Sequence, residues 1–231
     1  MPSLRDSGKI VGTSVSIRQL AQQCNLPFPL SLRQFIDASG CPFSQCLRLH
    51  IKVLTDPNIS IETMLDRMRE VYSTADIRVE VASRENLTGP NFTNLLDLDV
   101  GQCQLGTTTT EQNLLFQNRN SVGNDEVVVY FVRSTVPALN GCAAHPSGQP
   151  GAVIVQTASR WTLAHEVGHV LGLSHISGEH QGCPASNPEC CQTADFTRLM
   201  TGCSTSNITG IPTISQSEIS TMIASNLTNQ C

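Results

Sequence analysis

A glutamate flanked by regularly spaced histidines occurs in the run Trp161-Thr162-Leu163-Ala164-His165-Glu166-Val167-Gly168-His169-Val170-Leu171-Gly172-Leu173-Ser174-His175. On a helix, residues four apart stand one turn above each other, so the imidazoles of His165 and His169 can reach one ion. Glu166 lies about 100° round the helix from His165, beside the open side of such an ion and outside its ligand set. Its carboxylate can there take a proton from a bound water. Gly172 falls where a helix ends through a left-handed residue, a conformation glycine adopts without a penalty from a β-carbon. The turn that follows lets His175, which is off the helical register of the first pair, swing back as a third ligand. Three neutral imidazoles and one water make a four-coordinate site of the catalytic kind, in contrast to the closed site of a structural zinc. One zinc ion is therefore expected, with Glu166 as general base. His50, His145 and His180 have no partner at ligand spacing and read as structural histidines, with His180 the nearby competitor to His175.

The elements that must position this run are legible from periodicity. Leu47 to Leu54 alternates, with Leu47, Leu49, Ile51 and Val53 on one side and Arg48, His50 and Lys52 on the other, the period of a half-buried strand. Ser60 can cap a helix carrying Ile61, Met64, Leu65, Met68, Val71 and Tyr72, and Asp76 to Ala82 alternates again. Strand, helix, strand predicts a parallel crossover. Ser83 to Gln104 is polar and rich in turn residues, and Thr110 to Asn118 is a short helix. Glu126 to Val132 is an apolar run suited to a buried strand. Gly141 to Gly151 reads as a loop, Ala152 to Gln156 as a short strand, and Ser174 to Pro212 as a cysteine-rich loop region. Ser215 to Leu227 predicts an amphipathic helix presenting Ile219, Met222, Ile223 and Leu227. Before all of these, Ser16–Gln23 and Ser31–Ala38 are two short helices around Pro27-Phe28-Pro29.

The chain has 231 residues, 39% hydrophobic and 14% charged, which predicts one domain and a core supported by something besides surface ion pairs. Ten cysteines supply it: Cys24, Cys41, Cys46, Cys103, Cys142, Cys183, Cys190, Cys191, Cys203 and Cys231. With no C-x-x-C pair among them, disulfides formed in an oxidising compartment are expected over a thiolate metal site. On the order of 900 connectivities are possible; proximity favours Cys41 with Cys46, and Cys183 with Cys190, Cys191 or Cys203. Sequons at Asn58, Asn86, Asn91, Asn207 and Asn226 fit an extracellular protein, though roughly two or three would arise by chance in such a composition. Met1 to Leu20 has no apolar core of a signal peptide, and no stretch has the length of a transmembrane helix. A net charge of -5 without a Lys/Arg cluster argues against nucleic acid or an anionic membrane as partner.

The extended motif resembles the signature of the metzincin clan of zinc endopeptidases. In that clan a tight turn carrying a methionine beneath the metal follows downstream, and Arg198-Leu199-Met200-Thr201-Gly202 is similar to it, placing Met200 there. The resemblance implies an α+β fold: a mixed, mostly parallel five-stranded sheet with helices in an upper lobe, a cleft, and a small disulfide-rich lower lobe with a C-terminal helix. On this chain that gives one catalytic domain over 1–231, with 1–40 a segment of open role, 41–175 the upper lobe and 176–231 the lower lobe. It also implies that Ala152, Val153, Ile154, Val155 and Gln156 form the rim strand, to which a peptide adds by main-chain hydrogen bonds. The expected function is that of a secreted, monomeric zinc endopeptidase acting on protein or peptide. A catalytically silent binding module and a zinc hydrolase of a non-peptide bond are the alternatives. Ile176 follows the third histidine where astacins, adamalysins, serralysins and matrixins carry Glu, Asp, Pro and Ser, and Gly202 stands where astacins and serralysins have a tyrosine ligand. The subfamily is therefore left open. Substrate preference, with Ser204 to Ile211 as candidates for the pocket, and calcium are not legible.

Overall fold

In the computed structural model, which describes residues 43–176, 191 and 194–231, the first alternating segment forms strand β1 (Gln45–Val53). Leu47, Leu49, Ile51 and Val53 are buried as their period requires. The other face differs from expectation, because His50 and Lys52 are buried as well. Each is compensated by a carboxylate: His50 Nε2 lies 2.8 Å from Glu126 Oε2, and Lys52 is paired with Glu85. Helix α1 (Ile61–Tyr72) starts at Ser60, whose hydroxyl accepts from the Thr63 N–H, and strand β2 (Ile77–Asn86) runs parallel to β1. The crossover is thus as read, but β2 extends four residues beyond Ala82. Its polar end, Ser83–Asn86, pairs with His50–Val53 after a bulge.

Strand β3 (Asp97–Asp99) lies in the stretch read as turns and pairs in parallel with β5 (Ser134–Val136); three residues are too few to show a period. Helix α2 (Thr110–Phe116) opens on a reciprocal cap between Thr109 and Gln112. Strand β4 (Val127–Val132), buried at every position, lies parallel to β1. Strand β6 (Gly141–Cys142) is antiparallel to β7 (Gly151–Val155), and β7 is parallel to β4. Helix α3 (Thr162–Val170) holds the histidine motif. Helix α4 (Gln216–Ala224), capped by Ser215 and Glu218, leads to β8 (Thr228–Gln230), which pairs antiparallel with Gln45–Leu47.

The main sheet has the order β2-β1-β4-β7-β6, with β8 added on β1. It is mixed and mostly parallel, as expected. The rim is not where the resemblance put it, however: β7 lies between β4 and β6, so Ala152–Gln156 is not the edge. All five residues of β7 are buried, the mark of an interior strand covered on both faces. Among the described residues the edge is β6, inside a stretch read as loop.

Helices α1 and α3 pack on each other and on the sheet, where Met64, Met68, Val71, Tyr72, Leu163, Ala164 and Val167 are all fully buried. The Tyr72 hydroxyl donates to the Ala164 carbonyl at 2.9 Å, and burial pushes its pKa up. This bond braces the motif helix against α1. Tyr72→Phe should cost about 0.5–1.5 kcal/mol of unfolding free energy in urea titration, with the metal-binding stoichiometry unchanged.

Three disulfides join described residues: Cys46–Cys231, Cys103–Cys142 and Cys191–Cys203. They overturn the pairing of Cys41 with Cys46 and of Cys183 with Cys191 or Cys203. Proximity in sequence misled because β8 returns to the start of β1 and carries Cys231 to Cys46, with 5.0 Å between Cα atoms across a sequence separation of 185. Replacing both cysteines by serine removes the constraint on the longest loop, and a loss of about 2–5 kcal/mol is expected from denaturant unfolding. The helices expected at Ser16–Gln23 and Ser31–Ala38, together with Cys24, Cys41, His180, Cys183 and Cys190, lie outside the described residues.

Candidate metal centre

The motif helix ends as its glycine demands. Gly172 has φ +97°, its N–H donates to His169 O at 2.9 Å, and Leu173 N–H donates to Gly168 O at 3.0 Å. This pair of bonds satisfies the last helical carbonyls and reverses the chain. His175 is thereby returned to the helix. The Nε2 atoms of His165 and His169 are 3.1 Å apart, those of His169 and His175 3.0 Å, and those of His165 and His175 3.2 Å.

The other ring nitrogens fix the tautomers. His165 Nδ1–H donates to Leu199 O at 2.8 Å, and His169 Nδ1–H donates to Leu173 O at 2.8 Å. Both carbonyls can only accept, so the Nε2 lone pairs of these two rings face the shared point. Burial first, and the neighbouring His169 second, push the His165 pKa down to about 3. Burial and then His175 push His169 down to about 4. Both rings stay neutral at physiological pH. Tetrahedral donors about 2.0–2.1 Å from a zinc ion stand roughly 3.3 Å from one another, so the triad fits that ion closely. Among the described residues it is the sole group of three or more potential ligands placed to hold a metal.

Glu166 is 8% exposed, and burial pushes its pKa up to about 8. Its side chain reaches toward the edge strand: a β-carbon built on Gly141 would lie 2.8 Å from Glu166 Oε1.

Met200 lies against the same helix. A β-carbon on Gly168 would stand 2.9 Å from Met200 Sδ, so the glycine between the two motif histidines gives the thioether its place. The segment is tied in at several points. Ile176 N–H donates to Met200 O at 3.1 Å, and Leu199 N–H to Thr213 O at 3.1 Å. Arg198 Nη2 is 2.5 Å from Glu218 Oε2, the carboxylate that also caps α4. The following turn reaches the start of α3, where Thr205 Oγ1 is 2.8 Å from both Ser159 Oγ and Thr162 Oγ1. Asn140, next to the edge strand, donates to Ser204 Oγ at 2.9 Å, so the segment after Met200 is tied to that strand's entry.

The other two described histidines, His50 and His145, stand apart from this centre. His50 Nδ1 is 2.7 Å from Ser83 Oγ on β2, with Glu126 on its far side. His145 Nδ1–H donates to Pro146 O at 3.0 Å, and burial lowers its pKa. Sequence reasoning passed over Gly141, Gly168, Tyr72 and the Ser159–Thr162–Thr205 cluster. For Gly168 a signal was available, since a glycine inside a helix costs stability and asks for a packing reason.

Residues 53–230 match the family described as Metallo-peptidase family M12B Reprolysin-like. Among curated proteins, the chain is similar to extracellular metalloproteases of Arthroderma benhamiae and Trichophyton verrucosum, 24% identical over 136 residues in each case. That alignment takes in 55% of this chain and 48% of theirs, so the chain spans about half the length of these relatives. Among solved structures it is similar to metalloproteinase-II from Bacteroides fragilis, with a TM-score of 0.51 and 14% identity over 79% of this chain and 53% of that one. At that identity the likeness speaks for the fold alone.

Proposed function

The chain belongs to the reprolysin-like M12B metallopeptidases, and from that premise we propose that it is a secreted zinc endopeptidase with His165, His169 and His175 as ligands and Glu166 as general base. The observation that carries this reading is the convergence of three Nε2 atoms within 3.0–3.2 Å, two of them locked as acceptors by backbone carbonyls, with the buried Glu166 next to His165 on the same helix. When bound, zinc supplies Lewis acidity that polarises a carbonyl and brings the pKa of a water toward 7.

The rest falls to the chain. Burial alone holds Glu166 up to about 8, and a neighbouring cation favours its ionised form, which returns it to the range of a base at neutral pH. Glu166 then accepts a proton from the attacking water and gives it to the leaving amine. The role of peptide rim passes from Ala152–Gln156 to β6, the last strand of the sheet on that side among the described residues; a substrate strand would pair along its open side. Met200 supports the ligand helix from below through Gly168.

Secretion is supported by the disulfides and by the five sequon asparagines, Asn58, Asn86, Asn91, Asn207 and Asn226, all of which are exposed. No described helix is long and apolar enough to cross a membrane. The test is digestion of a denatured, proteome-derived peptide mixture with and without a chelator, followed by zinc restoration. Internal cleavages that vanish with chelator and return with zinc are expected. Their absence, with the metal bound, would favour a silent binding module, and turnover confined to ester or other non-peptide bonds would overturn the peptidase reading.

A further inference from the structure

We propose that Gly141 is a positioning residue for the carboxylate of Glu166, because the side chain it lacks is the space that carboxylate fills. The inference rests on the reading of Glu166 as the general base. A β-carbon built on Gly141 would stand 2.6 Å from Glu166 Cγ, 2.8 Å from its Oε1 and 2.9 Å from its Cδ, all shorter than non-bonded carbon and oxygen atoms tolerate.

Two observations bear on why a glycine stands at 141. Its backbone is not in the left-handed region, which among the described glycines holds Gly89, Gly101, Gly106, Gly148 and Gly172; it lies in β6, paired with Ile154. Glycine is therefore present for room and not for its dihedral angles. The obstacle is also of a particular kind. At Gly151 an added β-carbon meets the backbone carbonyl of Val128 at 2.4 Å, which the sheet cannot move, whereas the three nearest atoms at Gly141, Cγ, Oε1 and Cδ of Glu166, all belong to one side chain. Adding a methyl group at 141 thus leaves the fold one escape, rotation of the Glu166 side chain from its β-carbon outward. That escape displaces the one group whose position the chemistry needs. The edge strand consequently has a second task besides offering its main chain: it sets the wall against which the base stands.

Displacement of a reacting group by about 1 Å can cost on the order of a hundredfold in rate. Gly141→Ala is expected to lower kcat on an internally quenched peptide by about 10–100-fold with KM changed less than about threefold. Bound metal by mass spectrometry and the thermal midpoint should stay at the wild-type level. The decisive comparison repeats the substitution in a Glu166→Gln background, where no base remains to misplace. Residual turnover there should not fall further, and the Kd of the uncleaved peptide should match between the single and double variants. Equal losses in both backgrounds, or weaker peptide binding in the double variant, would place the effect on the substrate strand and overturn the proposal. So would a Gly141→Ala protein that fails to fold, loses its metal or keeps wild-type kcat. If the unsubstituted protein shows no metal-dependent cleavage, the function falls first and this inference with it; if it cleaves and Gly141→Ala cleaves equally, only the inference falls.

Discussion

Glu166→Gln is expected to lower peptide turnover by about 10²–10⁴-fold, the contribution of a positioned general acid–base group, while the protein keeps its fold and its metal. Glutamine has the size of glutamate, so it fits the same slot beside Gly141 and displaces nothing. It is not one of the three converging ligands, so metal content by mass spectrometry should remain at one ion per chain. The substitution also removes an ionisable group from a site where burial opposes its charge, so the thermal midpoint should hold or rise. What is lost is the lone pair that takes the proton from water and the acid that returns it. KM should change little, because a glutamine presents nearly the same surface to a bound peptide. Full activity in this variant would exclude Glu166 as the base, and loss of metal with activity would show it to be a ligand.

The parts of this site that could be read in the sequence are those governed by local geometry. The spacing of His165 and His169 follows from the pitch of a helix, and the glycine at 172 announces the reversal that the structure makes with φ +97°. The apolar side of β1 and the apolar run of β4 are likewise local, because each records a face of a strand that is covered. The illegible parts depend on which distant segment comes to lie alongside. A two-residue strand such as β6 carries no period, so Gly141 and Cys142 looked like the start of the loop read over Gly141 to Gly151. Their role emerges from pairing with Val153 and Ile154. The same applies to Cys46, whose partner arrives with the last strand, and to His50, which is buried because Ser83 and Glu126 come from neighbouring strands. Gly168 lies between: its place inside a helix was a signal of close packing that went unread, and the return of Met200 to that face explains it.

Stripping the metal with a chelator is expected to abolish turnover and to lower the thermal midpoint, because the triad is assembled only in the folded chain. The Nε2 atoms of the triad lie 3.0–3.2 Å apart, and the lone pairs of His165 and His169, fixed by the carbonyls on their other ring nitrogens, face the point that a cation would occupy. An ion present at about a hundred times its Kd stabilises the native state by about 2.7 kcal/mol through linkage alone. The metal-free protein should also acquire a characteristic pH dependence. His165 and His169 have folded pKa values of about 3 and 4, below the ordinary 6.5. The unfolded chain therefore takes up protons there that the folded one refuses. Their contribution to stability is complete above pH 6.5 and is lost as pH falls toward 4. Glu166 acts in the opposite sense, since its folded value of about 8 stands above the ordinary 4.5. Its contribution is complete below pH 4.5 and disappears as pH rises through 8. For these three groups together, metal-free stability peaks near pH 6.5, and Glu166→Gln should remove the decline on the alkaline side while leaving the acid side in place. Thermal unfolding of both proteins from pH 5 to 9, in chelator and again with zinc restored, measures this. An alkaline decline that survives in Glu166→Gln would show that the carboxyl is not held protonated by its surroundings. An unchanged midpoint on metal removal would show that the three histidines do not hold the ion.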